Sequence, residues 1–457
     1  GISKEAEEKE STLSLSNEDT QQLTQPSAIQ EAMRDPRLRA RALLAQSQYG
    51  EALLAFEEAR RQNPQSGEVL VGLGRTHLAL GQVDKAGQFY EMAVALEPDN
   101  PSLQVGLGVF HLKFNRYDEA EKAFITALNM DSTYLAARRN LAAVYSKGGR
   151  LADAAREYEQ ALSLQSEDVN TRFNLGLVRL HLGQYDQAKI LLEEIVSDNP
   201  QHVRALYSLG EVLLNEGKDG EARGYFERTL EVDTTYAQAH VQIARIDMRE
   251  NDLSSAAERL RRTILIEPGI AESFRLLGQI YLRQERESAG EKALEAYEKV
   301  KGFEKEIEYF QERIRSDPDD GEAHYNLGYI YGRLGFTGVA LPHYIRAVTI
   351  NPGHVQALNN MGNIYFRTGH LVQAAASYEQ ILSSDAEHVP AMTLLAQVYL
   401  SQQRTQEAVS ALKKAVSLND TWRPAHLGLA QAYKQMGEVA LSEEHRSRAL
   451  QLEGEEQ

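Results

Sequence analysis

Apolar residues recur along this chain at a spacing close to 3.6 residues, in short stripes that come in pairs. This spacing predicts amphipathic helices, and the paired pattern returns every 34 residues. The chain therefore consists of one helix–turn–helix unit copied twelve times, with units that begin at Met33, Gly67, Pro101, Leu135, Val169, Val203, Ala237, Ala271, Gly321, Val355, Val389 and Arg423. The unit at Ala271 is 50 residues long and carries 16 extra residues.

We number the positions of each unit from its first residue. Several positions carry the same type of residue in most units, and these positions indicate where the two helices of a unit contact each other. Position 8 is Gly or Ala in every unit and position 20 is Ala in ten, as expected where two helices cross closely. Position 24 is mostly large, as in Phe56. Glycine at position 15, as in Gly81, predicts a left-handed residue between the helices. Proline at position 32 is predicted to end the second helix, and three acids are predicted to be its N-caps: Asp84, Asp118 and Asp186.

This set of positions resembles the tetratricopeptide repeat family, over residues 33–456. The resemblance implies an all-α fold, an α-solenoid of tandem helix-turn-helix repeats that forms a right-handed superhelix. It also implies that the first helices line a concave groove. Polar residues at Arg39, Ser442 and Arg446, where other units are apolar, lead us to expect capping units and a complete array.

Four segments are predicted along the chain. Residues 1–32 contain seven acids, two lysines and no aromatic residue, so we expect a flexible acidic polar leader. Residues 33–284 are predicted to be repeats 1–7, and 285–320 an irregular helical insertion that completes repeat 7 and adds a third helix. Residues 321–457 are predicted to be repeats 8–12. The insertion is expected to be a joint or a docking element, or a neutral addition to a tolerant loop.

Composition and motifs give no support to an enzyme. The net charge of −17 argues against nucleic acid or an anionic membrane as a general partner, and no apolar run is long enough for a transmembrane segment. The chain has no cysteine, its histidines form no HExxH pair, and no phosphate-binding or nucleophile motif occurs. Neither a metal nor another cofactor is expected.

The resemblance directs attention to positions 2, 5, 6, 9, 12 and 13, which usually contact ligands in this family. These columns contain many basic residues, amides at position 6, and several aromatic residues. Position 13 also lies at a helix C-terminus, where cations stabilise the helix dipole without any ligand, and the aromatic residues could simply pack between neighbouring first helices. The predicted partner-binding groove comprises Arg75, Arg139, Asn140, Lys147, Phe173, Asn174, Arg204, Tyr207, Arg245, Arg249, Arg275, Arg283, Tyr325, Asn326, Tyr329, Arg333, Asn360 and Arg367.

These features predict a non-enzymatic scaffold that binds extended peptide or protein segments in its groove, with an acidic or carboxylate-bearing partner favoured by the basic stripe. Arg139, Asn174 and Arg204 partly match the carboxylate clamp of chaperone-binding members. The alternative is an accessory or targeting subunit of an enzyme complex, such as a glycosyltransferase or a polysaccharide export or envelope assembly. The polar leader slightly favours an exported, periplasmic or lipid-anchored protein over a cytoplasmic one. The oligomeric state is left open.

Overall fold

The computed structural model describes residues 35–455, and the predicted leader lies outside them. The described part is all-α, with no strand and 25 helices. The first eleven are α1 (Pro36–Ala45), α2 (Tyr49–Gln62), α3 (Gly67–Ala79), α4 (Val83–Leu96), α5 (Pro101–Lys113), α6 (Tyr117–Met130), α7 (Leu135–Lys147), α8 (Leu151–Leu164), α9 (Val169–His181), α10 (Tyr185–Asp198) and α11 (Val203–Asn215).

The remaining fourteen are α12 (Asp219–Val232), α13 (Ala237–Arg249), α14 (Leu253–Ile266), α15 (Ala271–Arg283), α16 (Glu287–Lys301), α17 (Glu304–Ser316), α18 (Gly321–Arg333), α19 (Thr337–Ile350), α20 (Val355–Arg367), α21 (Leu371–Ser384), α22 (Val389–Ser401), α23 (Thr405–Leu418), α24 (Arg423–Met436) and α25 (Val439–Glu455). They form twelve hairpins, which we number 1 to 12 from the N-terminus. The sequence predicts the insertion in repeat 7 and five repeats after it. In the structure the insertion lies in hairpin 8, and four hairpins follow it.

The chain divides into two compact units, one ending at Ile246 and the other beginning at Asp247. The first unit contains hairpins 1–6, and its division from the second falls within α13. In each unit the two helices of a hairpin pack together, and the second helix of one hairpin packs against the first helix of the next. Amphipathic helices stacked in this way bury their apolar stripes against neighbours in the row, which is how repeat arrays are stabilised.

The contact between the helices of a hairpin depends on the small residue at position 8. A Cβ atom added to Gly108 would lie 2.5 Å from the ring of Phe124, which is fully buried at position 24. A Cβ atom added to Gly328 would lie 2.9 Å from Tyr344 and 3.2 Å from the carbonyl oxygen of Ala340. The prediction that positions 8, 20 and 24 form the helix crossing is confirmed.

The turn residue at position 15 has a left-handed backbone in all twelve hairpins. Glycine occupies it in seven hairpins, with φ between +72° at Gly183 and +87° at Gly335. The other five hairpins use Ser47, Asn115, Asn251, Glu285 and Gln403, with φ between +56° and +63°. The turn geometry therefore belongs to the repeat itself, and glycine is only its least strained solution.

The predicted N-caps of the second helices are wrong. The helices α4, α6 and α10 begin two residues earlier than the sequence suggested, and Asp84, Asp118 and Asp186 lie inside their first turns. An acid in the first turn still stabilises the positive end of the helix dipole. Among the second helices, α14 does have a side-chain cap, from Asp252 to the backbone of Ser255. The other side-chain caps are on first helices, where for example Asp168 accepts hydrogen bonds from the backbone of Asn170 and Thr171.

The insertion forms the separate helix α17, as its second apolar stripe predicted. Its Ile307 side chain is 2% exposed and lies beside Gly269, and α17 packs against α18. The amide of Gln311 donates a 2.9 Å hydrogen bond to Glu267, which precedes α15. The insertion therefore belongs to the packed core of the second unit.

Candidate functional site

The cations at position 13 all lie at the surface. Lys147 of the first unit and Arg249, Arg283, Arg333 and Arg367 of the second are exposed at the C-terminal ends of their helices. They are therefore accessible to a partner. Their place in the last turn also stabilises each helix, so position 13 alone does not distinguish the two roles.

Several mid-helix arginines of the basic stripe are paired with acids. An Arg139 Nη atom lies 2.6 Å from an Asp168 Oδ atom, and both side chains are largely buried. Arg275 makes two hydrogen bonds to Glu272, of 2.7 Å and 2.5 Å. Burial raises the pKa of Asp168, but the hydrogen bonds from Thr171 and Arg139 outweigh it and hold that pKa below its usual value. A ligand carboxylate at these arginines would compete with acids that the chain already supplies.

The other three mid-helix or early-helix arginines contact polar or aromatic neighbours. Arg75 hydrogen-bonds the hydroxyl of Tyr90. The guanidinium of Arg204 lies 4.3 Å from the centroid of the Phe173 ring, which is a cation–π contact. Arg245 is exposed and donates a 3.3 Å hydrogen bond to Gln242.

Gly72 at position 6 lies in the packed interior of the first unit. The residue is buried, and an added Cβ atom would lie 2.2 Å from Cε1 of Phe56, the position-24 ring of hairpin 1. Position 6 thus packs against the second helix of the preceding hairpin. Near Gly72, a small cavity of about 30 Å³ is lined by Phe56, Gly72, Arg75 and several neighbours.

The four predicted position-6 amides are all half-buried. Asn140 and Asn326 donate hydrogen bonds of 2.9 Å and 2.7 Å to backbone carbonyls four residues earlier in their own helices. The side chain of Asn360 lies near the hydroxyl of Tyr344, and Oδ1 of Asn174 is buried with no partner among the described residues. An amide has two donor hydrogens and an acceptor oxygen, so each retains capacity for a ligand.

The predicted aromatic anchors differ in exposure. Phe173 is 3% exposed, so it packs inside the first unit, beneath the half-buried Arg204. The Tyr207 ring is half-buried and lies 5.0 Å from Tyr236. Burial raises the Tyr207 pKa, and its hydroxyl donates a 3.2 Å hydrogen bond to Glu211.

The most open of the predicted aromatic anchors lies in the second unit. Tyr329 is 44% exposed and its ring stacks on Tyr325 at 6.3 Å. Tyr325 also contacts the ring of His354 at 4.6 Å, and the Arg333 guanidinium lies 5.9 Å from the Tyr329 centroid. These residues bring an aromatic platform and a cation together on one face of α18.

Two groups on the same positions were missed in the sequence. Glu211 occupies position 9 in hairpin 6, and burial raises the pKa of its carboxyl. Asn363 occupies position 9 in hairpin 10 and accepts a 2.8 Å hydrogen bond from the hydroxyl of Tyr378. A search of position 9 for acidic and amide side chains, in addition to basic and aromatic ones, would have found both residues.

Among the described residues, no group of three or more histidines and acids is arranged to hold a metal ion. In that same part of the chain, no helix is both long enough and apolar enough to cross a lipid bilayer.

Two family models with the description "Tetratricopeptide repeat" match the chain. One matches residues 43–107, 145–213 and 179–246. The other matches residues 105–169, 329–388 and 359–421. Together they span residues 43–246 and 329–421, which is more than half of the chain. No curated protein matches the sequence.

Solved structures of repeat proteins align with parts of the chain. YrrB, described as a TPR protein with an unusual peptide-binding site, is 23% identical over 40% of this chain and 95% of its own, with a TM-score of 0.35. A tetratricopeptide repeat protein from Parabacteroides merdae is 15% identical over 55% of this chain and 99% of its own, with a TM-score of 0.44. Pseudomonas aeruginosa PilF is 22% identical over 42% of this chain and 88% of its own, with a TM-score of 0.38.

Proteins of this family bind proteins or peptides and typically act as interaction scaffolds without catalytic activity. Because the family models cover more than half of the residues, and because the described helices pack as the predicted hairpins, this chain belongs to the tetratricopeptide repeat family.

Proposed function

We propose that the protein is a non-enzymatic scaffold that binds extended peptide segments along its first helices, with a principal site on α18 and α20. The observation that carries this proposal is the open face of α18, where Tyr325, Tyr329 and Arg333 follow one another at four-residue intervals. Side chains four residues apart lie on the same side of a helix. A tyrosine pair with one exposed ring, placed beside a cation, has a composition enriched at the energetic centres of protein interfaces.

Amides on the same face support an extended peptide as the ligand. Asn326 follows Tyr325 directly, and Asn360 occupies the same position in the next hairpin. An amide side chain can donate to a backbone carbonyl and accept from a backbone N–H, which suits a ligand whose own backbone is unpaired.

Charge supports a ligand with a carboxylate. Arg333 and Arg367 are exposed, and neither forms an ion pair with an acid among the described residues. Arg139 and Arg275 are already paired with Asp168 and Glu272, so we assign them a weaker role. Attraction between these free cations and an acidic peptide would be screened by salt.

The test begins with selection of linear peptides from a displayed random library on the full chain. Affinities of the selected peptides are then measured by calorimetry for the wild type, Tyr329→Ala and Arg333→Ala. We expect Tyr329→Ala to weaken binding by about 30-fold, as for a hot spot of about 2 kcal/mol, and Arg333→Ala by about 10-fold. Binding of acidic peptides should also weaken as salt is raised.

The chain supplies a matched control in Tyr309 and Arg313 on α17. They form the same four-residue tyrosine–arginine pair, with the guanidinium 5.8 Å from the ring, and Tyr309 is 58% exposed. Tyr309→Ala should leave peptide affinity unchanged. If no peptide is selected, or if the α17 and α18 variants weaken binding equally, the proposed site is wrong.

A further inference from the structure

Two hairpins of the second unit contain a pair of histidines at the same unit positions, 4 and 23. In hairpin 9, Nδ1 of His324 lies 3.1 Å from Nδ1 of His343. In hairpin 12, Nδ1 of His426 lies 3.1 Å from Nδ1 of His445. Each pair joins the first helix of its hairpin to the second. The predicted peptide surface uses neither pair.

The outer nitrogen of the first histidine determines where the protons are. Nε2 of His324 lies 3.2 Å from the carbonyl oxygen of Pro318, and Nε2 of His426 lies 2.9 Å from that of Asp420. A carbonyl only accepts, so each Nε2 must carry a hydrogen, and in a neutral ring Nδ1 is then a bare acceptor. The bond between the rings is therefore donated by Nδ1–H of the second histidine, His343 or His445.

This geometry suits a shared proton better than a metal ion. The ring centroids of each pair are 5.3 Å apart, close to the greatest separation that two imidazoles with this Nδ1 spacing allow. The two lone-pair directions therefore lie nearly along the line that joins the nitrogens. A zinc ion about 2.0–2.1 Å from both nitrogens would lie well off that line, and both rings would have to rotate to reach it.

We propose that these two histidine pairs are acid-sensitive latches that hold hairpins 9 and 12 closed near neutral pH and release them when each pair takes up two protons. One added proton can be accommodated: it binds Nε2 of the second histidine, whose Nδ1–H still donates to the bare Nδ1 of the first. A second proton places N–H groups on both facing nitrogens, and the bond is replaced by repulsion between two cations. Two such coupled groups titrate as a pair, in two steps.

The surroundings of hairpin 9 support this assignment. Burial, together with the charge of His324, lowers the pKa of His343 to about 4. Burial also lowers the pKa of His324, where Arg346 opposes protonation while Asp320 and Asp319 favour it. Asp320 and Asp319 therefore do not raise the pKa of His324 back to its ordinary value.

Hairpin 12 has a similar environment. Burial and the neighbouring His426 lower the pKa of His445, as does Lys413 of α23, while Glu444 acts in the opposite direction. Asp420 approaches His426 but is also held by Arg448 at 3.0 Å. Each second histidine stacks on a tyrosine of the first helix, with centroids 5.8 Å apart: His343 on Tyr331 and His445 on Tyr433.

The direction of the pH effect follows from these shifts. A histidine whose pKa is lower in the closed state than in the open state favours the closed state above its open-state pKa of about 6.5. That preference is lost as the pH falls toward the closed-state value, which is about 4 for His343. Between pH 7 and pH 4, this group alone should raise the opening equilibrium of hairpin 9 on the order of 100-fold.

Hydrogen exchange of the full chain, corrected for the intrinsic pH dependence, tests the proposal. Helices α18, α19, α24 and α25 should lose protection as the pH falls from 7 toward 4.5, while α22 and α23 should lose less. Hairpin 11 is an internal control because it carries Met392 and Ala411 at positions 4 and 23, which do not titrate. Equal loss of protection in hairpins 9, 11 and 12 would overturn the proposal.

A variant that copies the control pair into hairpin 9 makes the test sharper. His324→Met with His343→Ala should fold, since the chain already uses this pair in hairpin 11. It should remove the acid sensitivity of α18 and α19 and leave that of α24 and α25 unchanged. If hairpin 9 of this variant still opens in acid as the wild type does, the histidine pair is not the latch. Histidine titration followed by NMR in the wild type should show two coupled steps, and a single ordinary step near pH 6.5 would also refute it.

Discussion

Replacement of Gly72 by alanine tests whether position 6 is a packing position. The added Cβ atom would lie 2.2 Å from Cε1 and 2.5 Å from Cζ of Phe56. Ordinary carbon–carbon contacts are about 3.5–4.0 Å, so the ring or helix α3 must move by more than about 1 Å. Phe56 is only 2% exposed and has little room to move. Overpacking of this kind costs about 1–3 kcal/mol.

Alanine also has a favourable effect that must be separated from the clash. It is a better helix former than glycine by about 1 kcal/mol in a helix interior. Gly224 lies inside α12 of the same unit, and an added Cβ atom there would meet nothing within 4 Å. Gly224→Ala should therefore stabilise α12 by about 0.5–1 kcal/mol. The difference between the two variants isolates the clash with Phe56, about 1–3 kcal/mol.

Local hydrogen exchange is the appropriate assay, since repeat arrays open in segments and a single unfolding midpoint averages over them. We expect lower protection of α2 and α3 in Gly72→Ala and higher protection of α12 in Gly224→Ala. Phe56→Leu, which adopts the residue found at position 24 as Leu192, should relieve the clash when combined with Gly72→Ala. If Gly72→Ala protects α3 as Gly224→Ala protects α12, then position 6 is open and our interpretation of it is wrong.

Three further predictions follow from other contacts. Gly149→Ala, at a φ of +75°, should destabilise hairpin 4 by about 1–2 kcal/mol, measured as lost exchange protection of α7 and α8. Asp168→Asn keeps an N-cap but loses the charge that Arg139 pairs with, so α9 should lose about 1–3 kcal/mol at pH 7. Because hydrogen bonds lower the pKa of Asp168, the wild-type helix should lose this stability as the pH falls below about 4, and the variant should not. Tyr378→Phe keeps the buried ring but removes the 2.8 Å bond to Asn363, which should cost about 1 kcal/mol in thermal or exchange measurements.

The repeat fold was predictable because its determinants are local and recur in every unit. A small residue at position 8, a large one at position 24 and a left-handed residue at position 15 each impose the same geometry twelve times. Even the turns without glycine, such as those at Glu285 and Gln403, follow the prediction because the units around them fix the connection. The apolar stripe of the insertion predicted α17 for the same reason.

The candidate site was only partly predictable. A column of arginines is visible in the sequence, but the acids that pair with Arg139 and Arg275 come from position 34 of the same unit and from position 2. Helix geometry brings these acids next to the arginines, and their negative charges neutralise the positive charges of Arg139 and Arg275. Likewise, nothing in the sequence distinguishes buried Phe173 from exposed Tyr329, since both occupy first-helix positions with aromatic side chains.

The sequence by itself determined the repeat, its helices and its turns, since these depend on side-chain spacing and on backbone preferences within one unit. Tertiary structure alone decided which residues of that unit reach a neighbouring helix. It placed Gly72 against Phe56, Arg139 against Asp168, and His324 against His343. Each of these contacts joins residues at least sixteen positions apart, and its energy depends on distances of an ångström or less, which a one-dimensional pattern does not contain.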